Sequence, residues 1–132
     1  MQLEVPLPSQ VLELFAAPRH AGRPGAGRYR YGVGGAVSRG SLIGLWLACA
    51  GGCIREARFE AFGCPATIAC AEWLCRRLQG AEITAAERLQ GLAVAEALKL
   101  PAAKRAVALV AEDALKAALA AAEQELDPGS EV

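Results

Sequence analysis

The sequence predicts an α+β domain in which antiparallel strands come first and helices follow. Strand patterns occur between residues 28 and 62, two of them with a two-residue alternation, and none occurs beyond Pro65, where helical spacing takes over. Strands followed by helices predict helices packed on one face of a sheet. With 132 residues, 54% of them hydrophobic, we expect one domain over 1–132, with flexible ends at 1–7 and 127–132.

Three strands are expected, joined as an antiparallel meander with one solvent-facing side. In residues 28–33 basic residues alternate with Tyr29, Tyr31 and Val33, which is typical of a half-buried strand. Residues 41–49 are almost wholly apolar, and the glycines that follow favour a hairpin turn. Residues 54–62 return with alternating apolar and charged positions.

Helix signals flank these strands. A short helix is expected near the N-terminus, then a helix after the last strand, two short helices and a long alanine-rich one. Their expected positions are 9–17 with Ser9 as cap, Pro65 to Gly80, a turn capped by Thr84, 94–98, and Pro101 to about Leu126.

Charge and hydropathy exclude two classes of partner. Fourteen basic and fourteen acidic residues give a formal net charge of zero, so no overall field attracts nucleic acid or an anionic membrane. The longest apolar run, residues 42–54, is shorter than the roughly 20 residues that cross a bilayer. The first ten residues lack the pattern of a signal peptide, so we expect a cytoplasmic protein with reduced cysteines.

Cys64 stands between the last strand and Pro65, the first-turn residue of the following helix. Free backbone N–H groups and the helix dipole favour an anion there, which lowers a thiol pKa. Such a thiol can act as a metal ligand or as a sulfur nucleophile. The alternative is a small residue that merely fits the junction.

The remaining cysteines and the single histidine are weaker candidates. Cys70 points about 120° away from Cys64 around the helix axis, and Cys75 lies about 16 Å further along it. Cys49 and Cys53 flank the hairpin turn and could form a redox pair. His20, in a loop, is more typical of a surface or hydrogen-bonded residue than of a ligand.

Four strings in the chain resemble motifs of the IscU/NifU N-terminal family of iron-sulfur cluster assembly scaffolds. PRHAG resembles the family's P-R-N-x-G, IREARFEAFGC its I-x-D-A-R-F-x-x-F/Y-G-C, LPAAK its chaperone-recognition string L-P-P-V-K, and AEDA its final A-E-D-A. The similarity extends from about Val11 to Ala121. It implies the same three-stranded α+β fold and a role in cluster assembly without catalysis, so the protein is not expected to be an enzyme.

The resemblance also shows which ligands have been replaced. Family members hold a [2Fe-2S] cluster or zinc with three cysteines, an aspartate and sometimes a histidine. Of these positions only Cys64 keeps its ligand; the others fall on Ser38, Gly40, Ala106 and Val107. An iron-sulfur cluster or a zinc ion would therefore be shared with a partner or a second copy of the chain, be bound weakly, or not be bound at all. Ser38, His20 and Cys70 are the weaker candidate ligands.

Two functions follow from the resemblance and from Cys64. The first is a diverged scaffold-like protein that carries sulfur, metal or cluster through this one thiol. The second is a non-catalytic interaction module that regulates a cysteine desulfurase or another assembly protein. A homodimer is a further candidate assembly. The chaperone-like string assigns partner docking to Leu100, Pro101 and Lys104, with Ala102 and Ala103 favouring helix over an extended segment.

Overall fold

The computed structural model describes residues 7–127, so the predicted flexible ends lie outside it except for Leu7 and Asp127. None of the helices in this range is long and apolar enough to span a bilayer. The elements follow in the order α1 Ser9–Ala16, β1 Gly27–Ala36, β2 Ser41–Ala50, β3 Cys53–Phe62, α2 Pro65–Leu78, α3 Ile83–Ala86, α4 Gly91–Ala97, α5 Arg105–Ala120 and β4 Gln124–Leu126.

The sheet has four antiparallel strands in the order β3-β2-β1-β4, which corrects the prediction of three. The predicted long helix ends at Ala120 instead of near Leu126, because Ala121 adopts an extended conformation. The chain then pairs β4 with the start of β1, from Gly27 opposite Leu126 to Tyr29 opposite Gln124. These ladder hydrogen bonds outweigh the helix propensity of the alanine-rich sequence.

The two faces of β1 are the reverse of those expected from its alternation. Tyr31 and Val33 lie on the open face of the sheet, 41% and 42% exposed. Gly32 and Gly34 face α5, and a Cβ on either would overlap the backbone of that helix. Where β1 passes beneath α5, at Gly32 and Gly34, only glycine fits, and Tyr31 and Val33 lie on the other side.

The core lies between the sheet and two long helices, α2 and α5. Most of its largest fully buried side chains come from β2, β3, α2 and α5, and they include Leu45, Leu47, Phe59, Leu74 and Leu115. The helix after β3 begins at Pro65 with Cys64 at its N-cap position, as predicted.

The other helices differ from expectation at their ends. Ser9 is the first residue of α1 and makes no capping hydrogen bond, and Thr84 lies within α3 instead of capping it. The helix expected at 94–98 already begins at Gly91. A single 3-10 turn at Ala102–Lys104 precedes α5, so the helical continuation expected after Pro101 is present in a tighter form.

A fully buried carboxylate ties the loop before β1 to α2. Glu72 accepts hydrogen bonds from the backbone N–H of His20 at 2.8 Å, from His20 Nδ1 at 2.8 Å and from Arg76 Nε at 2.6 Å. Burial alone would raise the pKa of this carboxyl, but the hydrogen bonds from His20 and Arg76 outweigh burial and lower it. Glu72 is therefore ionised and holds the loop in place.

Replacing Gly34 by alanine should destabilise the protein, since the new methyl group has no space beneath α5. We expect the free energy of unfolding to fall by about 1–3 kcal/mol, the usual cost of overpacking. Gly25→Ala is the matched control, because nothing lies within 4 Å of the added carbon. Urea unfolding measures both variants; equal effects would contradict the close approach of α5.

Glu72 should make stability fall in acid. Its pKa in the folded protein lies below the ordinary value of 4.5, so its contribution is complete above that value and is lost as the pH falls through the folded pKa. Glu72→Gln should therefore show a shallower loss of stability below about pH 4.5. Urea unfolding from about pH 6 to about pH 3.5 tests this against the exposed Glu87→Gln. Parallel curves for all three proteins would refute it.

Candidate functional site

Cys64 lies at a tight junction between β3 and α2. Gly63 before it has φ of 148°, a conformation that side chains rarely adopt, and a Cβ there would also lie 3.1 Å from the Gly40 carbonyl oxygen. Cys64 itself has the extended conformation usual for an N-cap residue. The junction therefore brings the thiol next to the turn between β1 and β2.

The Cys64 thiol is half-buried and has two polar neighbours. Lys104 Nζ and Thr67 Oγ1 each lie 3.7 Å from its sulfur, and Thr67 Oγ1 also lies 2.9 Å from Ser41 Oγ. Burial raises the pKa of Cys64, but hydrogen bonds from the Thr67 backbone and hydroxyl and from the Ala66 backbone, with the charge of Lys104, outweigh it. The net pKa is lowered, so the structure favours a thiolate.

A cleft of about 540 Å³ opens in front of this thiol, between the β1–β2 turn and the start of α5. We call it the Cys64 cleft. Besides the thiol, its wall carries two cationic side chains and one carboxylate, those of Arg39, Lys104 and Asp113. Two positive charges against one negative charge leave the cleft with an excess positive charge while Cys64 is a thiol. This excess offsets the negative charge of a Cys64 thiolate, so the cleft is close to neutral once Cys64 ionises.

The positions where the family carries ligands do not rebuild a metal site. Ser38 is exposed on a 3-10 turn, and Gly40, which follows this turn, has no side chain. Ala106 and Val107 contribute only hydrocarbon to the cleft. Among residues 7–127, no group of three or more histidine, cysteine, aspartate or glutamate side chains is placed to hold a metal ion. One cysteine does not meet the four-ligand requirement of zinc or a [2Fe-2S] cluster.

The two other candidate ligands are not available to the cleft. His20 Nδ1 is bonded to Glu72, which lies eight residues beyond Cys64, or about 12 Å along α2. Cys70 is fully buried, and burial together with the nearby Cys64 raises its pKa to about 12. Cys75 is also buried, and burial raises its pKa strongly. Neither buried thiol is positioned or ionised to act as a ligand.

The structure does not agree with the docking role suggested for Leu100 or with the possible redox pair of Cys49 and Cys53. Leu100 is only 3% exposed and packs in the core, so it cannot contact a partner of the folded chain. Pro101 and Lys104 stay partly exposed. All five cysteines are free, and the register places Cys49 opposite Ile54 but Cys53 opposite Ala50. Since opposed residues share a face, Cys49 and Cys53 point to different faces of the hairpin and do not form the redox pair that their positions in the sequence allowed.

Sequence reasoning missed three contributors to the cleft. Thr67 stands three residues after Cys64, the spacing at which a helix residue can reach back to its N-cap, and this signal was available. Arg39 and Asp113 are distant in sequence and meet only through the packing of α5 on the sheet. No local pattern places Arg39 at the cleft, and the AEDA string that contains Asp113 does not indicate which residues it faces.

Comparison with solved structures shows the same fold in proteins of low identity. The structure of an assigned iron-sulfur cluster assembly scaffold for the SUF system of Fervidobacterium islandicum matches with a TM-score of 0.64, 17% identity, and coverage of 85% of this chain and 95% of that one. A hypothetical protein matches with a TM-score of 0.63 and 18% identity over 84% and 94% of the two chains. The N-terminal part of a nitrogen-fixing NifU-like protein from Brucella abortus matches with a TM-score of 0.51 and 18% identity, and the match covers 83% of this chain and 77% of that one.

The family comparison covers nearly the whole chain. No curated protein matches the sequence significantly. The profile of the NifU-like N terminal domain, in contrast, matches residues 8–126. This range includes β3, the Cys64 junction, the Cys64 cleft and every element of the fold. The chain belongs to the family of NifU-like N-terminal domains.

Proposed function

We propose that this protein takes part in iron-sulfur cluster assembly as a scaffold-like carrier that receives sulfur on Cys64. The family membership and the fold shared with the Fervidobacterium scaffold support the general role. The observation that carries the specific role is the half-buried Cys64 sulfur, 3.7 Å from both Lys104 Nζ and Thr67 Oγ1. A scaffold role is non-catalytic, which agrees with the expectation that the chain is not an enzyme.

The proposed reaction is a sulfur transfer between two cysteines. The Cys64 thiolate attacks the outer sulfur of a persulfide, R–S–SH, on a cysteine desulfurase. The donor's S–S bond breaks as a new S–S bond forms on Cys64, and the donor cysteine leaves as a thiolate. The outer sulfur keeps its proton in this exchange, so no external oxidant or reductant is needed.

Each neighbour of Cys64 has a role in this transfer. The Thr67 backbone N–H and hydroxyl stabilise the attacking thiolate, and Lys104 adds a positive charge. The product, Cys64–S–SH, is protonated; once its outer sulfur releases that proton to solvent, the same groups stabilise the persulfide anion, whose charge lies one atom further into the Cys64 cleft. Arg39 at the cleft wall adds a second cation for the outer sulfur.

The cluster or metal itself would be cargo that this chain does not hold alone. Cys64 is the one thiol in the Cys64 cleft, and Asp113 is its one carboxylate. A partner or a second copy would have to supply the remaining ligands. Iron or zinc would then be found only in the assembled complex.

A second candidate function is an interaction module that regulates a desulfurase without accepting sulfur. Loss of the ligands favours it, and so do three exposed apolar side chains beside the Cys64 cleft. These are Val37 on the turn that carries Arg39, Phe62 at the end of β3 and Leu109 in the cleft wall, each at least half exposed. Such side chains are typical of an interaction surface.

Cys64→Ser should separate the two functions. We expect the variant to bind a desulfurase as the wild type does, because one thiol contributes little to an interface of some 20 to 30 residues a side. Anaerobic incubation with desulfurase and cysteine should give a persulfide on Cys64, which mass spectrometry detects, and none on the serine variant. Binding without persulfide on the wild type would favour the module instead. Absence of binding in both proteins would remove support from both functions.

Lys104→Gln should raise the pKa of Cys64 by removing a cation beside the sulfur. The rate of alkylation by iodoacetamide, followed site by site against pH, should then reach its midpoint at higher pH. Cys70 and Cys75 should alkylate slowly in every folded variant, since burial keeps them protonated. Lys116→Gln, on α5 and outside the Cys64 cleft, is the control. An unchanged midpoint in Lys104→Gln would disprove the proposed electrostatic role.

The purified monomer should carry less than one tightly bound iron or zinc per chain, because one thiolate cannot complete a closed site. Elemental analysis after gel filtration measures the content directly. The Cys64→Ser variant shows how much of any residual metal depends on the thiol. A stoichiometric metal that survives dialysis against a chelator would contradict this reading of the site.

A further inference from the structure

A second cavity, of about 530 Å³, opens beside β3 and is lined by Arg19, Arg55 and Arg58. We call it the arginine cavity. Gln79, at the C-terminal end of α2, also lines it. Cys64 stands at the other end of that helix, fifteen residues and about 22 Å away. The arginine cavity is therefore separate from the Cys64 cleft.

The arginines of this cavity are not neutralised by the folded chain. None of the three takes part in an ion pair among residues 7–127. The one carboxylate in the cavity wall belongs to Glu56, and its Oε1 already accepts a hydrogen bond from the Tyr29 hydroxyl at 3.2 Å. Three positive charges against one negative charge leave an excess of two. Like charges around one concave surface attract an anion from solution.

Arg58 is held in place before any ligand arrives. Its Nε donates to the Gly22 carbonyl at 3.1 Å, and its Nη2 donates to the Ala21 carbonyl at 2.7 Å. Neither bond uses Nη1. A fixed guanidinium loses little side-chain entropy on binding, and its planar geometry matches a carboxylate.

The backbone of β3 offers hydrogen-bonding groups at the same place. On the outer edge of β3, the backbone N–H and C=O of Ile54 are hydrogen-bonded to Ala81 and Gly80. Those of Phe59 are hydrogen-bonded to His20 and Gly22. Between them, Ala57 has its N–H bonded only to Gln79 Oε1, at a long 3.3 Å. The Ala57 carbonyl points outward with that N–H, and no hydrogen bond of residues 7–127 reaches it on this edge. An open stretch of strand edge can bind the main chain of an extended peptide.

We propose that the arginine cavity binds an acidic, extended segment of a partner protein. Its carboxylates face Arg19, Arg55 and Arg58, and its main chain bonds to Ala57 after displacing the Gln79 side chain. A small phosphate compound would use the arginines but not the strand edge, which is why the peptide is the better fit. The Cys64 cleft stays open in this complex, so a partner can be bound while the thiol reacts.

Binding of a defined probe tests the proposal. The probe is a fluorescein-labelled peptide of alternating glutamate and valine, and the reference is the same peptide with glutamine for glutamate. Fluorescence anisotropy should show binding of the acidic peptide only. Combined Arg19→Gln and Arg55→Gln should weaken it by about tenfold or more, as loss of two charge-assisted contacts predicts. Both side chains are exposed, so the fold should be kept.

The control variant carries Arg88→Gln and Arg105→Gln, which remove the same charge from exposed positions outside the arginine cavity. It should weaken binding by less than about twofold if the site is specific. Equal weakening in both double variants, or no binding of the acidic peptide, overturns the proposal. Displacement of the peptide by inorganic phosphate or ATP at equal concentration also overturns it, in favour of a small-anion site. Slowed exchange of the Ala57 amide in the complex supports the strand-edge contact.

Discussion

The seating of α5 directly on the backbone of β1 determines the arrangement of the rest of the molecule. Gly32 and Gly34 have no side chains at this contact. The buried face of α5 carries small residues, Ala111, Ala114 and Ala118, which are all fully buried. Two flat surfaces can approach more closely than a ridge and a groove of larger side chains. This close approach brings the start of α5 to the end of β3, and it places Lys104 beside Cys64.

The chemistry of Cys64 depends first on the helix it caps and then on this placement of Lys104. Donors from α2 stabilise its thiolate, and the positive charges of Lys104, just before α5, and of Arg39, on the β1–β2 turn, outnumber that of Asp113 in the Cys64 cleft. Where the family motif has ligands for a cation, this chain has Gly40, Ala106 and Val107. Around the Cys64 sulfur the cleft therefore presents hydrogen-bond donors and cations instead of these ligands.

The elements that could be predicted are those written in local patterns. The hairpin from β2 to β3 and the start of α2 follow from strand alternation, paired glycines and Pro65, and the structure has them as expected. The Cys64 junction could be found for the same reason. The faces of β1 could not be predicted, because a two-residue period shows that residues alternate but not which face meets a helix. Gly32 and Gly34 lie on the helix face because a larger side chain would overlap α5.

Long-range contacts account for the features that were missed. In the sequence, Glu72 is one polar residue on an amphipathic helix. Its burial is explained only by its hydrogen bonds to His20, which lies 52 residues earlier. Leu100 belongs to a string that resembles a recognition motif, yet packing draws it into the core. β4 lies in a sequence of high helix propensity and exists only because β1 offers it an edge.

That last pairing has a consequence for the order in which the molecule assembles. The meander of β1, β2 and β3 joins neighbours in sequence, whereas β4 closes onto β1 from the opposite end of the chain and contributes only three residue pairs. Closing so long a loop is entropically costly, and so few pairs return little. We expect β4 to form last during folding and to open first by local unfolding. While it is open, the outer edge of β1 is exposed, and a newly made chain is then most vulnerable to pairing with another copy of itself.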